Sequence, residues 1–350
     1  MAMVKHGMEV LKLMIQTRNP GQIPVMVGDQ PIFALAKYAQ WNWPQTLGES
    51  RYIIILGDLH TEMALWRMVA DLLEGSGWCA ALSEAGVATA GTADSFLKVA
   101  HLTRTRHAHQ VTAMSLAKLQ RDAFNTMCNT HEEKTFEDWK EKMIRNSPTF
   151  EFWDKILQLE LLVVIFIRSH RERNFALYID VLEALAPWFF VLDHTNYARW
   201  LPVHIRDMKA LPNEIRDELK QNWVFMKTSR KFSSMPLDQA HEQNNETVKG
   251  SGGAIGLTEN PAALKRWMVA GPEQARILTE FHELYHSSEQ PSQSHIQGHS
   301  IQKTFQKQVN DMCDAIVTMG NPFMETSKEL MTLDKHDCVD DMVVQALHTM

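Results

Sequence analysis

Tyr52-Ile53-Ile54-Ile55-Leu56-Gly57-Asp58 is the stretch that decides the fold class of this 350-residue chain. Its unbroken run of apolar and β-branched residues is typical of a strand buried on both faces, as in a parallel sheet covered by helices. The same signal occurs earlier, in Ile23-Pro24-Val25-Met26-Val27, which also ends in a Gly-Asp pair, Gly28-Asp29. A helical pattern follows each pair, so the order strand, helix, strand, helix predicts an α/β fold.

Two acidic side chains follow the two predicted strands directly. Asp29 comes after the first strand and Asp58 after the second. In open α/β sheets the carboxyl ends of neighbouring strands point into one crevice, where ligands bind. We therefore expect Asp29 and Asp58 to lie side by side at this edge of the sheet.

A long helical block follows the two strands and makes the predicted fold helix-dominated overall. The run Trp78–Leu82 is a further strand or a loop, and Trp223–Met226 a short strand, whereas residues 93–186 show helical patterns throughout. We expect residues 1–92 to form the N-terminal part of an α/β core and residues 93–235 a helical insertion. Residues 236–286 then carry a polar helix and the helices after it, and residues 287–350 a linker and a helical tail.

The polar helix is predicted between Pro236 and Gly250, which suit a helix start and a helix end. Asp238, Glu242, Asn245 and Lys249 fall at i, i+4, i+7 and i+11, so one stripe of this helix is wholly polar. Such a stripe faces either water or a polar site. We expect Glu242 to face the crevice that holds Asp29.

Composition indicates a globular protein without a disulfide framework. The chain is 45% hydrophobic, enough for one large core or two ordinary ones, and its four cysteines are far apart, which suits free thiols in a reducing compartment. The net charge of −7 means that any contact with nucleic acid must come from local basic patches. Candidate cations for such contacts are Arg104, Arg106, the segment Arg168–Arg173, Lys227, Arg230, Lys231 and Lys249.

The N-terminal residues predict a short amphipathic helix and not a secretory signal, because charged residues interrupt the apolar ones between Met1 and Asn19. The most apolar run, Leu157–Ile167, contains Glu160 and is much shorter than the roughly 20 residues that a bilayer requires. We therefore expect a nuclear or cytoplasmic protein with no membrane partner.

The gathered motifs carry a resemblance. Gly28-Asp29-Gln30, Asp58-Leu59-His60 and the helical His241-Glu242-Gln243-Asn244-Asn245 appear in that order. The chain thereby resembles a poorly characterised, transposon-derived family dispersed in animal and fungal genomes, which looks like RNase H-like nucleotidyl transferases of the DDE transposase type. The segment Asn196–Trp200 is similar to the end of that family's helical region. The resemblance covers roughly residues 22–271.

The resemblance implies two-metal phosphoryl transfer on DNA. In such sites two Mg²⁺ or Mn²⁺ ions about 3.5 to 4 Å apart clamp the attacking and leaving oxygens, and carboxylates bridge the ions. It assigns Asp29, Asp58 and Glu242 as catalytic metal ligands. His60 and Asn245 would support them, and the cations named above would contact the nucleic acid.

One departure from the pattern bears on catalysis. By this alignment Asp29 ranks as the second catalytic acid, so the strand that carries the first should precede residue 1. Either the chain is a truncated copy, or Asp29 and Asp58 have other ranks among the catalytic acids. We favour a truncated copy that is catalytically incomplete and keeps nucleic-acid binding.

Two alternatives from other classes stay open. His282-Glu283-Leu284-Tyr285-His286 matches His-Glu-x-x-His, which on a helix places two imidazoles on one face beside a glutamate that serves as general base. That motif predicts a zinc-dependent hydrolase, although the helix supplies no third ligand. The other alternative is a non-catalytic interaction protein that uses its helical surface.

Overall fold

The computed structural model describes residues 1–128, 135–228, 231–249, 260–263, 265–270, 273, 276–277, 280, 292–325 and 328–333. Within it the chain forms two units, one of Met1–Asp238 with Gln308–Met350 and one of Gln239–Lys307. Helices dominate the described residues, and the strands form two small sheets. The predicted predominance of helix is thus confirmed.

The elements follow one another in an order close to the predicted one. The strands are β1 (Val25–Gly28), β2 (Ile53–Leu56), β3 (Phe225–Met226) and β4 (Ser234–Met235). The helices are α1 (Ala2–Arg18), α2 (Gln30–Asn42), α3 (Pro44–Leu47), α4 (Asp58–Leu73), α5 (Trp78–Glu84), α6 (Ala90–Leu97), α7 (Leu102–Cys128), α8 (Phe136–Asn146), α9 (Pro148–Glu172), α10 (Phe175–Val191), α11 (Thr195–Ala210), α12 (Asn213–Asn222), α13 (Leu237–Lys249) and α14 (Ser292–Gly320).

Strands β1 and β2 pair in parallel, as the two Gly-Asp signals predict. Val25 lies opposite Ile53 and Gly28 opposite Leu56, so both strands end at the same edge of the sheet. All four residues of β2 are buried, as expected of a strand with apolar cover on both faces. The other sheet, β3 with β4, is an antiparallel pair of two residues each.

Helices cover the parallel sheet and hold its edge in place. Phe33 of α2 packs edge-on against Trp200 of α11, with ring centroids 6.1 Å apart. Helix α11 also reaches the strand itself, because the backbone N–H of Leu56 in β2 points at Nδ1 of His204 at 3.5 Å. The sheet is therefore joined to a helix about 150 residues later in the sequence.

The core between α4, α5, α7 and α9 contains an aromatic stack around a buried ion pair. His109 of α7 lies between the indoles of Trp66 and Trp78, with ring centroids at 4.3 Å and 4.9 Å. Its Nδ1 lies 2.7 Å from Oε1 of Glu160 in α9, and both side chains are fully buried. Burial raises the pKa of Glu160, and the neighbouring imidazole opposes that shift. These contacts bind the helical block to the helix that follows β2.

Two predictions about local structure are wrong. Residues 78–82 are neither a strand nor a loop but the start of helix α5, and Trp78 is buried there against α7. The predicted linker after residue 287 contains the start of α14, since glutamine, serine and histidine are tolerated in helices when they are not needed as caps. A short apolar run does not by itself distinguish a helix from a strand, and a short polar run does not distinguish a helix from a loop.

None of the helices in the described ranges is both long and apolar enough to cross a membrane. Cys79 and Cys313 are free thiols, as predicted for them.

Candidate functional site

The backbones at Asp29 and Asp58 lie on neighbouring strand ends, at the carboxyl edge of the parallel sheet. The N–H of Gly57 donates to the carbonyl of Gly28 at 2.7 Å, and each aspartate follows one of these glycines. Asp29 caps helix α2, because its Oδ1 accepts from the N–H of Ile32 at 3.1 Å. The prediction that the two acids follow adjacent strands at one edge is confirmed.

Asp58 is buried in a hydrogen-bonded network. Its Oδ1 accepts from the hydroxyl of Tyr178 at 2.8 Å, and its Oδ2 lies 3.1 Å from Nε2 of His170. The Tyr178 oxygen is in turn 2.7 Å from Nε2 of His204, the residue whose Nδ1 faces the end of β2. Three helices, α9, α10 and α11, therefore each supply one side chain around this carboxylate.

The acceptors in this network fix where the protons lie. A carboxylate only accepts, so the Tyr178 hydroxyl donates to Asp58, and His204 must then donate from Nε2 and accept at Nδ1. Burial lowers the pKa of His204 to about 4, and a neutral ring suits these two roles. Burial and the charge of Asp58 raise the pKa of Tyr178, so its hydroxyl keeps its proton.

His170 faces acceptors on both sides. Its Nδ1 lies 2.8 Å from the carbonyl oxygen of Phe166, and its Nε2 lies near Asp58, although the N–H direction there departs from that of a hydrogen bond. Asp58 thus has an imidazole ring beside one oxygen and a phenol on the other.

A third acid at this edge is Asp238, at the start of α13. Its carboxylate accepts from the N–H groups of Leu59 at 2.9 Å and His60 at 3.3 Å. Asp238 therefore caps helix α4, although it is 179 positions from Leu59 in the sequence. Nδ1 of His60 lies 3.2 Å from the same carboxylate. Gly57 allows this approach, because a Cβ at that position would lie 2.6 Å from Oδ2 of Asp238.

The phenol of Tyr197 is influenced by the charges of all three acids. Burial raises the pKa of its phenol, and the charges of Asp238, Asp29 and Asp58 raise it further, in that order. Tyr197 also lines a cleft of about 520 Å³ together with Gln30 and the segment Leu192–Asn196. Two motifs that carry the resemblance, at residues 28–30 and 196–200, therefore meet at this edge.

The three aspartates, as arranged, do not fit a two-metal site. Each has carboxylate oxygens engaged by protein donors: Asp29 by a backbone N–H, Asp58 by Tyr178 and His170, and Asp238 by the first turn of α4. Within the described part of the chain, no group of three or more His, Cys, Asp or Glu side chains is arranged to hold a metal ion.

The other predicted members of the acidic site lie in the second unit. Glu242 is exposed and Asn245 half-buried on α13, while Lys249 ends that helix and its side chain lies outside the described residues. The alternative zinc motif, His282, Glu283 and His286, also lies outside the described residues.

Cationic side chains meet in a second place, which we call the arginine cleft. It holds about 440 Å³ between α7 and α9. Its lining side chains are Thr103, Arg106, His107, Gln110, Ile167, Arg168, Arg171 and Phe232. The two basic segments that the sequence offers as separate patches thus form one surface.

The arginines of the cleft differ in how far their charge is already compensated. Arg106 makes a two-pronged ion pair with Glu62, which also accepts from the indole of Trp66. Arg168 pairs with Glu172 one turn away at 2.7 Å, and its side chain is 65% exposed. Arg171 donates to the backbone carbonyl of Ser234 at 3.2 Å.

The charge of Arg171 is not compensated by an ion pair within the described residues. No carboxylate of the described residues lies within ion-pair distance of its guanidinium. Burial lowers the pKa of Arg171, the charge of Arg106 lowers it further, and Glu62 opposes the shift. An anion in the cleft would meet a cation that the described residues leave without a carboxylate.

The remaining predicted cations are placed less distinctively. Arg104 is exposed on α7 outside the cleft lining, and Lys227 and Lys231 are exposed near β3 and β4. Arg230 lies outside the described residues.

Four residues around these acids do not follow from the sequence as members of this site. Tyr178 and His204 are polar residues on helices with no local link to Asp58, and His170 falls in the basic segment Arg168–Arg173. Asp238 belongs to the polar stripe, in which the resemblance favours Glu242 as the third acid. The capping role of Asp29 has a local signal, since Asp29 followed by Pro31 is a typical helix start.

No curated protein and no solved structure matches this chain. A family profile described as a domain of unknown function, DUF8702, matches residues 119–349, which is more than half of the chain. That region contains α8 to α14 and most of the side chains around Asp58. The chain therefore belongs to the DUF8702 family.

Proposed function

We propose that this protein binds nucleic acid through the arginine cleft. The observation that carries the proposal is the convergence of arginines from α7 and α9, more than 60 residues apart in sequence, around one open cleft. Arginine is the side chain best suited to phosphate, because its planar fork donates two hydrogen bonds to one anion.

The charge balance of the cleft favours a phosphate backbone as the ligand. Glu62 and Glu172 compensate Arg106 and Arg168, so the third cation, Arg171, leaves the cleft with an excess of positive charge. Over the whole chain the charge is −7, which gives no general attraction to a polyanion. Binding would therefore depend on this surface and weaken steeply with salt.

The acidic edge of the sheet supports binding without independent catalysis. Asp29 and Asp238 each accept hydrogen bonds at the start of a helix, and Asp58 accepts a buried hydrogen bond from Tyr178. In keeping with the resemblance, we propose a transposon-derived protein in which β1 and β2 belong to an RNase H-like sheet. DNA is then the expected partner and the nucleus the expected location.

Fluorescence anisotropy of labelled DNA tests the proposal. Arg168→Glu reverses an exposed charge in the cleft. We expect about tenfold weaker binding at low salt, and a salt dependence whose logarithmic slope falls by about 1, as for the loss of one phosphate contact.

Arg145→Glu is the matched control. Arg145 is also exposed, and it also pairs with a glutamate one turn away, Glu141, at 2.9 Å, but it lies on α8 outside the arginine cleft. Both variants therefore change the net charge equally and break the same kind of ion pair. Equal effects of the two variants, or no binding at low salt, would overturn the proposal.

A further inference from the structure

An exposed aromatic side chain stands at the arginine cleft in an unfavourable backbone conformation. Phe232 lines the cleft, is 59% exposed and has φ 61°. This left-handed region is costly for a residue with a Cβ and favours glycine or asparagine. An exposed phenylalanine gains little by burial, so neither local conformation nor core packing accounts for this residue type.

Contacts on both sides hold Phe232 at the cleft. The hydroxyl of Ser233 donates to the carbonyl of Thr228 at 2.7 Å, which ties the residue after Phe232 to the chain just beyond β3. Arg171 of the cleft donates to the carbonyl of Ser234, and Ser234 and Met235 are buried in the small sheet. These contacts hold the backbone next to Phe232, whose side chain lines the same cleft as the arginines.

We propose that Phe232 stacks on an unpaired base, so that the arginine cleft takes single-stranded nucleic acid. This inference rests on the proposed function. Proteins that bind single strands combine a cationic groove for the backbone with aromatic rings for the bases, and every base has a face that can stack. The bases of an intact duplex are stacked on each other and offer no face to such a ring.

The test compares single-stranded and duplex DNA of about 12 nucleotides, a length that a stacking groove can cover. We expect Phe232→Leu to weaken single-strand binding about tenfold, since stacking on one base has that order of effect. Duplex binding should change by less than about twofold, because the arginines that contact phosphate are intact. Phe232→Trp, which keeps a ring, should retain single-strand binding.

Phe190→Leu is the matched control, because Phe190 is 60% exposed and lies on α10 outside the cleft lining. It should leave both affinities unchanged. Phe232→Gly adds a readout of folding: glycine adopts the left-handed conformation without strain, so Tm should stay equal or rise while single-strand binding is lost. A fall in Tm would assign Phe232 a structural role and overturn the inference.

The outcomes separate the two proposals. If Arg168→Glu weakens binding but Phe232→Leu affects single strands and duplexes alike, the stacking role is wrong and nucleic-acid binding stands. If Phe232→Leu has no effect on either, the stacking role is likewise wrong. If neither Arg168→Glu nor Phe232→Leu changes any affinity, both proposals fail.

Discussion

Removing a single oxygen atom from the network around Asp58 tests whether that network stabilises the fold. Tyr178→Phe keeps the ring that packs against Phe166 and Trp223 and deletes only the hydroxyl. That hydroxyl donates to Asp58 and accepts from His204. The substitution therefore leaves a buried carboxylate oxygen without its donor and a buried imidazole N–H without its acceptor.

The magnitude follows from these two groups. A buried polar group left without a partner costs about 1 to 3 kcal/mol, and more when it is charged. With one charged and one neutral group affected, we expect Tyr178→Phe to lower the free energy of unfolding by about 4 kcal/mol. Domain stabilities are on the order of 5 to 15 kcal/mol, so the change should be visible as a large fall in the urea midpoint.

Tyr52→Phe provides the comparison in the same assay. Tyr52 is also fully buried, but its hydroxyl donates to one neutral acceptor, the carbonyl of Met8, at 3.2 Å. Its loss should cost about 1 kcal/mol. If urea unfolding, followed by circular dichroism, shows no larger loss for Tyr178→Phe than for Tyr52→Phe, the account of the Asp58 network is refuted.

Two further predictions concern groups at the same edge. The pKa of His204 is lowered to about 4 in the folded protein, whereas an imidazole in the unfolded chain titrates near 6.5, so only the unfolded state binds the proton as pH falls between these values. The free energy of unfolding should therefore drop by roughly 3 kcal/mol from pH 6.5 to pH 4. A pH series of urea titrations should show a smaller drop for His204→Gln. Gly57→Ala would place a Cβ 2.6 Å from the Asp238 carboxylate and should lower Tm. Gly7→Ala is the control: a Cβ at this position of α1 would have no atom within 4 Å, so the helix-favouring alanine should raise stability by up to about 1 kcal/mol. Equal melting curves for the two variants would contradict the close approach of Asp238 to Gly57.

The part of the fold that could be predicted is the part with local signals. Gly28-Asp29 and Gly57-Asp58 mark the ends of β1 and β2 because a buried strand needs apolar residues and a turn needs glycine or aspartate. The start of α13 after Pro236 is equally local. Each of these depends on residues within about one turn of each other, as helix and strand periodicity does.

The site could be predicted only in part, because its remaining members are brought together by helix packing. Asp58 was identified from the strand that precedes it, but Tyr178 and His204 reach it from α10 and α11. The same holds for the arginine cleft, whose two basic segments are visible in the sequence as separate patches. Their union depends on how α7 and α9 pack, which no local pattern encodes.

The contacts of the Asp58 network also bear on the order in which the chain folds. Tyr178 is 120 residues from Asp58, His204 is 148 from Leu56, and Asp238 is 179 from Leu59. Closing loops of this length costs entropy before any contact is gained, whereas neighbouring helices can pair early. We therefore expect the carboxyl edge of the sheet to form late, after the helical hairpins. Until then Asp58 stays in water, and its burial is a final step of folding.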